Sequence, residues 1–486
     1  MSSIFKTEDA FSSKQKGYDL LPFRFIKLDE VRYVAVNEVG EWLALVRADL
    51  ELFIRKKLSS DTELYGSLKS RHFLQDSSSN IATDLLALKT RTKRSRVADF
   101  TGLHMFVVTL RCNHSCKYCQ VSRQSEDRAA FDMTIPMADK AIDFTFRSPG
   151  DALKIEFQGG ESLLNFELIK YVVIEAKKRN LTERRNLAFV IATNLTVLDE
   201  SILTFCREEG VNISTSLDGP EDLHNRNRPK AGSDSYKLTI DGIRRARQAL
   251  GADKVSALMT TTEASLNRVE DIVDEYLRQG FRGIFLRSLS PYGFAIKTKT
   301  YDGYDTEEWL RFYKKGLDYI IEINKQGIFF PEYYTALILQ KMLTPYGTAF
   351  VNLQSPAGIG IAGIIYNYNG DIYPSDEARM KAEMGDNIFC MGNLLKNSYE
   401  EVMLSPALLS PLEDSVAESV PMCEECAFLP YCGSDPDYHY ATQRDFVGHK
   451  ALSGFCQKNM GIFRYIIQKM EDDPVVRKIL ESWVRW

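Results

Sequence analysis

The chain has 486 residues, 44% apolar and 26% charged, with a net charge of −5 and a pI near 5.9; the length predicts about two to four domains and the composition excludes a disordered chain. The mild acidity leaves no nucleic-acid footprint, no apolar run reaches a membrane span, and the start, MSSIFKTEDAFSSK, lacks the apolar region of a secretory signal. A cytoplasmic protein without nucleic-acid or membrane partners is expected, and its nine cysteines read as metal-binding or catalytic rather than as disulfides.

Residues 22–75 read as a small unit. LPFRFIKL, RYVAVNEV and EWLALVR are predicted strands, with a turn at Glu38-Val39-Gly40. RADLELFIRKKL and DTELYGSLKSRHFL are predicted helices, the second with Asp61 as its N-cap. Three strands and two helices are too small for catalysis and suit peptide capture. QDSSSNIATDLL reads as a polar linker. The basic run KTRTKRSR has the pattern of a solvated surface or, less commonly, of a contact with an acidic partner.

From 105 to 290 strands and helices alternate. The predicted strands are MFVVTL, LKIEFQ, LAFVIAT, VNISTSL, KVSALMT and GIFLRSL. Between them lie predicted helices at MADKAIDFTFRS, FELIKYVVIEAKKR, DESILTFCREE, YKLTIDGIRRARQAL and LNRVEDIVDEYLRQ. Six such units predict an α/β fold, a partial (β/α)6 barrel with its active site at the C-terminal strand ends. TEEWLRFYKKGLDYIIEIN and PEYYTALILQKML read as helices, SPAGIGIAGIIYNYNGDIYPS as a Gly-rich hairpin, and MGIFRYIIQKMEDDPVVRKILESWV as helical. The expected division is 1–75, 76–300, a helical bridge over 301–354, and 355–486.

Seven of the nine cysteines fall in two groups. In TLRCNHSCKYCQ, Cys112, Cys116 and Cys119 sit on one loop after the first barrel strand. A structural zinc takes four Cys or His ligands, usually from paired knuckles, and His114 lies inside the loop, where its reach to the same metal is awkward. Three thiolates on a cubane cluster leave one iron open to bind a small molecule.

The C-x3-C-x2-C spacing with Tyr118 before the last Cys resembles the signature of the radical S-adenosylmethionine (SAM) enzymes. The resemblance implies that Cys112, Cys116 and Cys119 hold a [4Fe-4S] cluster whose free iron binds SAM. Electron transfer then cleaves the sulfonium, and the 5′-deoxyadenosyl radical takes hydrogen from a substrate. Gly159-Gly160-Glu161 in EFQGGESLL resembles the family's GGE motif at the amino-acid end of SAM, with Ser162 where Pro is usual; an ordinary turn is the alternative. Asn194, ending the third strand, stands where the family often places a ribose contact, or is a plain turn residue. SLDGPEDLHNRNRP resembles the peptide-modifying branch and implies Ser216, Asp218 and Arg228 at the SAM and active-site rim.

The second group, Cys423, Cys426 and Cys432 with Cys456 following, fits a structural zinc when read alone. Beside a radical SAM core it resembles the SPASM extension, in which these four cysteines hold one auxiliary [4Fe-4S] cluster without an open iron. Pro436 and Ser375 stand where a complete SPASM domain has ligands of another cluster, which is therefore expected to be missing. Cys390 reads as a buried thiol, a remnant of that cluster, or a member of an unusual site with Asp376 or Glu377. Cys206 reads as a buried thiol.

The N-terminal unit resembles the winged-helix-like recognition element of ribosomally made, modified peptides, which captures a leader by strand addition; a structural appendage is the alternative. LLPFRFIKLD, FLRSLSPYGFA, GDIYPSDEARM and CGSDPDYHYATQRDF together resemble the His-Xaa-Ser system radical SAM maturases, nearly end to end. The implied activity is radical modification of a precursor peptide by C–H hydrogen abstraction, giving a cross-link or another side-chain change. The implied partners are that peptide, a flavodoxin- or ferredoxin-type electron donor, and a second radical SAM maturase. A formylglycine-forming sulfatase maturase and a zinc-bound, non-catalytic peptide scaffold are the competing readings. The catalytic acid/base stays unassigned among His224, His439, His449 and the tyrosines near 438–440.

Overall fold

The computed structural model describes residues 17–77, 81–119, 122–297, 305–348 and 350–484. The opening MSSIFKTEDAFSSK and Gln120 of the cysteine loop lie outside these residues.

The N-terminal unit contains β1 (Tyr18–Leu20), β2 (Phe23–Lys27), β3 (Arg32–Asn37), β4 (Trp42–Val46) and β5 (Leu74–Asp76). β2, β3 and β4 form an antiparallel meander, and β1 pairs with β5. Side chains alternate across a strand. Ala35 and Leu45 therefore face Leu50, Phe53, Leu68 and Phe73, whereas Val34, Val36 and Trp42 join the main core. Helices Arg47–Ile54 and Glu63–Ser70 follow the meander. The second is capped by Thr62 rather than Asp61: Thr62 Oγ1 accepts from Tyr65 N at 3.2 Å. The Asp61 carboxylate is occupied by the hydroxyls of Ser59 and Ser60, at 2.8 and 3.2 Å.

The stretch expected to be a linker becomes helical from Ala82, and helix Ala82–Arg94 carries most of the basic run. Three cations tie it down. Lys89 pairs with Glu41 and Arg94 with Glu418. Lys93 donates to the Lys341 and Thr344 carbonyls at 2.6 and 3.1 Å. The acidic partners of the run belong to the same chain.

The central sheet contains the parallel strands β6 (Leu103–Thr109), β7 (Ala152–Gly159), β8 (Asn186–Thr193), β9 (Asn212–Ser216) and β10 (Val255–Leu258). Helices Ile135–Arg147, Phe166–Glu183, Glu200–Glu209 and Ser235–Leu250 supply the crossovers, and helix Val269–Arg278 follows β10. On β7, Leu153, Ile155 and Phe157 are buried in the core, while Lys154, Glu156 and Gln158 occupy the other face. The expected hairpin extends the sheet beyond β6: β11 (Gly363–Tyr366) runs parallel to β6, and β12 (Asp371–Tyr373) and β13 (Gly392–Asn393) are antiparallel.

GIFLRSL departs from expectation. It makes one isolated parallel bridge, Ile284 to Glu332, in place of a sixth strand. The buried Glu332 carboxylate accepts from Leu286 N at 3.1 Å while also capping helix Tyr333–Leu343 through Tyr334 N and Thr335 N. A side chain therefore takes the place of a ladder partner. Helices Thr306–Lys325, Gly454–Asp472 and Pro474–Ser482 close the structure, with Asp473 capping the last. Among the described residues no helix is long and apolar enough to cross a membrane.

Candidate metal centres

Cys112, Cys116 and Cys119 lie on the loop leaving β6. The buried Arg111 anchors its base. Arg111 Nε and Nη2 each donate to Asp132 at 2.8 Å, and Nη2 also reaches the Leu164 carbonyl at 2.7 Å. Thr109 Oγ1 donates to the same carboxylate at 2.6 Å. Farther along, Ser115 N donates to the Pro229 carbonyl at 2.8 Å. A bidentate guanidinium–carboxylate pair fixes orientation as well as distance.

The Gly-Gly-Glu turn at the end of β7 closes against this loop. Gly160 N donates to Thr109 O and Glu161 N to Arg111 O, both at 2.8 Å. A Cβ at Gly159, where φ is +152°, would stand 2.1 Å from Thr109 O, and one at Gly160 would stand 2.2 Å from Arg111 O. The glycines are thus required by the approach of one strand end to the other. Glu161 is fully buried and faces β8. It accepts from Thr193 Oγ1 at 2.5 Å, Asn194 N at 2.8 Å and Leu163 N at 3.1 Å. Burial raises its pKa, against those hydrogen bonds.

Asn194 reaches back to the cysteine loop, with Nδ2 at 2.9 Å from Asn113 Oδ1 and 3.0 Å from His114 Nδ1. His114 is buried, and its Nε2 lies 2.8 Å from Ser235 Oγ. Burial pushes its pKa down to about 4. Both ring nitrogens are engaged by neighbours.

Tyr118, Asp218 and Arg228 converge. The Tyr118 hydroxyl donates to Asp218 Oδ2 at 2.6 Å, Arg228 Nε donates to the same oxygen at 3.0 Å, and the guanidinium lies 5.5 Å from the Tyr118 ring centre. Ser216 ends β9, in register with Leu258 and two residues before Asp218. Two networks therefore hold the first cysteine loop, one through Gly159, Gly160, Glu161 and Asn194, the other through Tyr118, Asp218 and Arg228.

Burial raises the Cys112 thiol, with Glu161 and the other two thiols adding to it. Cys116 is pushed up to about 12, again chiefly by burial. In the second group, Cys456 lies in the first turn of helix Gly454–Asp472, beside the turns that carry Cys423, Cys426 and Cys432. Burial lifts Cys423 to about 12 and Cys426 and Cys456 to about 11, with neighbouring thiols contributing in each case. Among the described residues no three His, Cys, Asp or Glu are grouped as ligands of one metal ion. Within each group the thiols lie in one another's field. Both donor sets, three and four sulfurs without oxygen ligands, fit iron–sulfur ligation.

The other cysteines stand apart. Cys206 is buried in helix Glu200–Glu209. Cys390 is half-buried against the Met105, Val107 and Phe389 cluster, its Sγ 3.6 Å from the Gly392 carbonyl. Asp376 pairs with Arg379 at 3.2 Å, and Ser375 donates to Asp437 while accepting from Ala378 N at 2.9 Å. Pro436 opens helix Pro436–Gln443. His224 and His439 are buried and hydrogen-bonded, and His449 is exposed.

A cavity of about 1070 Å³ runs from the N-terminal ends of β6, β7 and β8, at Leu103, Ala152 and Asn186, to Arg287, Glu377, Cys432 and Lys458, and the described residues of the three-cysteine loop are not among its lining residues. Leu289, from the segment that supplies Arg287, packs on Tyr118 and Cys116. Sequence reasoning missed Arg287, Leu289 and Lys458 because only the fold brings them here; no spacing marks them.

A family model described as the Radical SAM superfamily matches residues 106–276. An uncharacterized protein of Methanocaldococcus jannaschii is 30% identical over 187 residues, 38% of this chain and 61% of its own length, so this chain spans less than two thirds of that relative. A cysteine-type anaerobic sulfatase-maturating enzyme of Clostridium novyi is 21% identical over 374 residues, 74% of this chain and 95% of that one. Among solved structures, native anSMEcpe with bound AdoMet and Kp18Cys peptide superposes with a TM-score of 0.63 at 17% identity, covering 78% of this chain and 99% of that one. Streptococcus suis SuiB bound to precursor peptide SuiA gives 0.52 at 15% identity, covering 90% and 100%. A radical SAM domain implies one [4Fe-4S] cluster and SAM. Residues 106–276 match the model of such a domain, and the chain has the α/β fold of the radical SAM enzymes.

Proposed function

We propose that the protein is a radical SAM maturase of a ribosomally made precursor peptide, acting on the His-Xaa-Ser type. Cys112, Cys116 and Cys119 would hold the [4Fe-4S] cluster. When bound and reduced, this cluster supplies the electron that cleaves SAM to the 5′-deoxyadenosyl radical used for C–H abstraction. Gly159 and Gly160 let the β7 end approach the cysteine loop, Glu161 holds Asn194 at the end of β8, Asn194 orients that loop, and Tyr118, Asp218, Arg228 and Ser216 form the opposite rim toward SAM. The observation that carries the reading is the closure of the Gly-Gly-Glu turn onto the three-cysteine loop.

Cys423, Cys426, Cys432 and Cys456 are assigned to one auxiliary [4Fe-4S] cluster. A four-thiol donor set beside a radical SAM core supports a cubane over the zinc reading. The cavity, about 1070 Å³ and at the top of the ~300–1,000 Å³ range of small-molecule sites, is walled by Cys432 and so gives substrate-sized room beside the second cysteine group. Peptides bound to the anSMEcpe and SuiB structures support a peptide as substrate by analogy. The sulfatase-maturase relative favours a second reading, oxidation of a sulfatase Cys or Ser to formylglycine. The N-terminal meander would capture the leader at a sheet edge, within the division 1–75, 76–300, 301–354 and 355–486. A flavodoxin- or ferredoxin-type donor, a partner maturase and a cytoplasmic location complete the proposal.

The test is anaerobic reconstitution with iron and sulfide, addition of SAM and dithionite, and quantification of 5′-deoxyadenosine, with and without a His-Xaa-Ser peptide. Production by the native chain and none by Cys112→Ala/Cys116→Ala/Cys119→Ala supports the reading. No production by fully iron-loaded protein with peptide present rejects it.

A further inference from the structure

Lys450 is 4% exposed and its neighbours adjoin the second group: Ser434 stands two residues after Cys432, and Ser453 Oγ accepts from Cys456 N at 3.2 Å. Its Nζ donates to Ser434 Oγ at 3.1 Å, to His439 Nε2 at 3.3 Å and to the Val447 carbonyl. The tautomer of His439 follows from its other nitrogen. Nδ1 lies 2.6 Å from the Asp435 carbonyl, which can only accept, so Nδ1 carries the proton and Nε2 presents a lone pair. Ser453 Oγ lies 2.9 Å from the same lone pair. An ammonium has three donors; here they meet Ser434 Oγ, the Val447 carbonyl and the His439 lone pair that is shared with Ser453 Oγ.

The local sequence builds this clamp. Asp445 Oδ1 accepts from Val447 N at 2.8 Å and Gly448 N at 3.0 Å, turning the Val447 carbonyl toward Lys450. Gly448 has φ +64°, and a Cβ there would stand 2.5 Å from His439 Cδ2. Only glycine lets the turn close on the histidine. Burial lowers the Lys450 pKa, and the Cys423, Cys432 and Cys456 thiols and the Asp435 carboxyl act against it by favouring the charged form.

We propose that Lys450 is a positioning residue for electron transfer: its buried ammonium, pinned by Ser434, His439 and the Val447 carbonyl, raises the reduction potential of the cluster held by Cys423, Cys426, Cys432 and Cys456. The inference rests on the auxiliary-cluster reading above. One-electron reduction adds one negative charge to a thiolate-ligated cluster, and a fixed cation in water-poor surroundings favours the reduced form. Net charge and hydrogen bonding around the ligands are recognised determinants of such potentials.

The test uses the full chain carrying Cys112→Ala/Cys116→Ala/Cys119→Ala, so that one cluster remains, in an anaerobic redox titration followed by electron paramagnetic resonance and iron analysis. The expected result is about four irons per chain with Lys450 or Lys450→Met. At a fixed poise the Lys450→Met reduced-to-oxidised ratio falls tenfold or more, a 59 mV drop for one electron, and Lys450→Arg stays near the native value. An unchanged potential in iron-replete Lys450→Met overturns the role of Lys450. Absence of iron with Lys450 in place overturns the auxiliary-cluster reading itself, and this inference with it. If Lys450→Met does not retain iron, Lys450→Gln is measured in its place. Loss of iron from both neutral variants overturns tuning in favour of a purely structural role.

Discussion

Tyr118 and Asp218 are one hundred residues apart in sequence and meet at 2.6 Å, the tyrosine hydroxyl donating to a fully buried carboxylate that also receives Arg228. The residue before the last cysteine of the first loop is thereby fastened to the turn after β9. Tyr118→Phe should cost about 1.5–3 kcal/mol in anaerobic denaturant unfolding, the range for a hydrogen bond to a charged group. Asp218→Asn should cost more, because it leaves Arg228 buried without its counter-charge. The double variant should cost less than the sum, since both changes break one interaction.

The glycine pair gives a sharper contrast. Gly160→Ala places a Cβ 2.2 Å from a backbone oxygen of the cysteine loop, whereas Gly66, in helix Glu63–Ser70, has nothing within 4 Å of a Cβ. Gly160→Ala should destabilise by about 3 kcal/mol or more and lower iron bound by the first site. Gly66→Ala should stabilise by up to about 1 kcal/mol and leave iron unchanged. Equal behaviour of the two in thermal unfolding and iron analysis would remove the packing role assigned to the turn.

Iron content separates the cysteine groups. Two cubane clusters predict about eight irons per reconstituted chain. Cys112→Ala/Cys116→Ala/Cys119→Ala and Cys423→Ala/Cys426→Ala/Cys432→Ala/Cys456→Ala should each lose about half. Cys206→Ala and Cys390→Ala should lose none. A further fall in Cys390→Ala would mean that Cys390 ligates a second auxiliary cluster.

The glutamate on the cavity wall carries a pH signature. Burial, with the neighbouring Asp376 and Asp437 charges, pushes Glu377 up to about 8 from its ordinary 4.5. Between those values the folded chain holds a proton that the unfolded chain releases, so stability falls as pH rises through that window and levels off above it. One proton corresponds to at most about 1.4 kcal/mol per pH unit. Glu377→Gln removes this contribution and should flatten the dependence of melting temperature on pH between about 6 and 8. An unchanged slope in the variant would show that Glu377 ionises normally.

The two cysteine groupings are legible because C-x3-C-x2-C and C-x2-C-x5-C put thiols within a few residues, and GGE follows a recognisable strand. The reason for the two glycines was not legible, since their neighbours Thr109 and Arg111 come from another strand. GIFLRSL has the composition of a strand, yet its ladder place is taken by Glu332, 46 residues beyond Leu286, a side-chain substitution that no periodicity records. KTRTKRSR carries charge without revealing its partners Glu41 and Glu418, which the fold brings from both ends of the chain. At the helix beginning at Glu63, two adjacent polar residues could cap, and the hydroxyls of Ser59 and Ser60 decided for Thr62 by occupying Asp61.

The most direct test of the central claim follows the hydrogen. A His-Xaa-Ser precursor peptide deuterated at its histidine and serine side-chain carbons is incubated anaerobically with the reconstituted enzyme, SAM and reductant, in parallel with an equally labelled sulfatase peptide. Transfer of deuterium from the His-Xaa-Ser peptide into 5′-deoxyadenosine, with an altered peptide mass, is the result expected of a maturase of that peptide. Unlabelled 5′-deoxyadenosine with an unchanged His-Xaa-Ser peptide, and label transferred only from the sulfatase peptide, would contradict it.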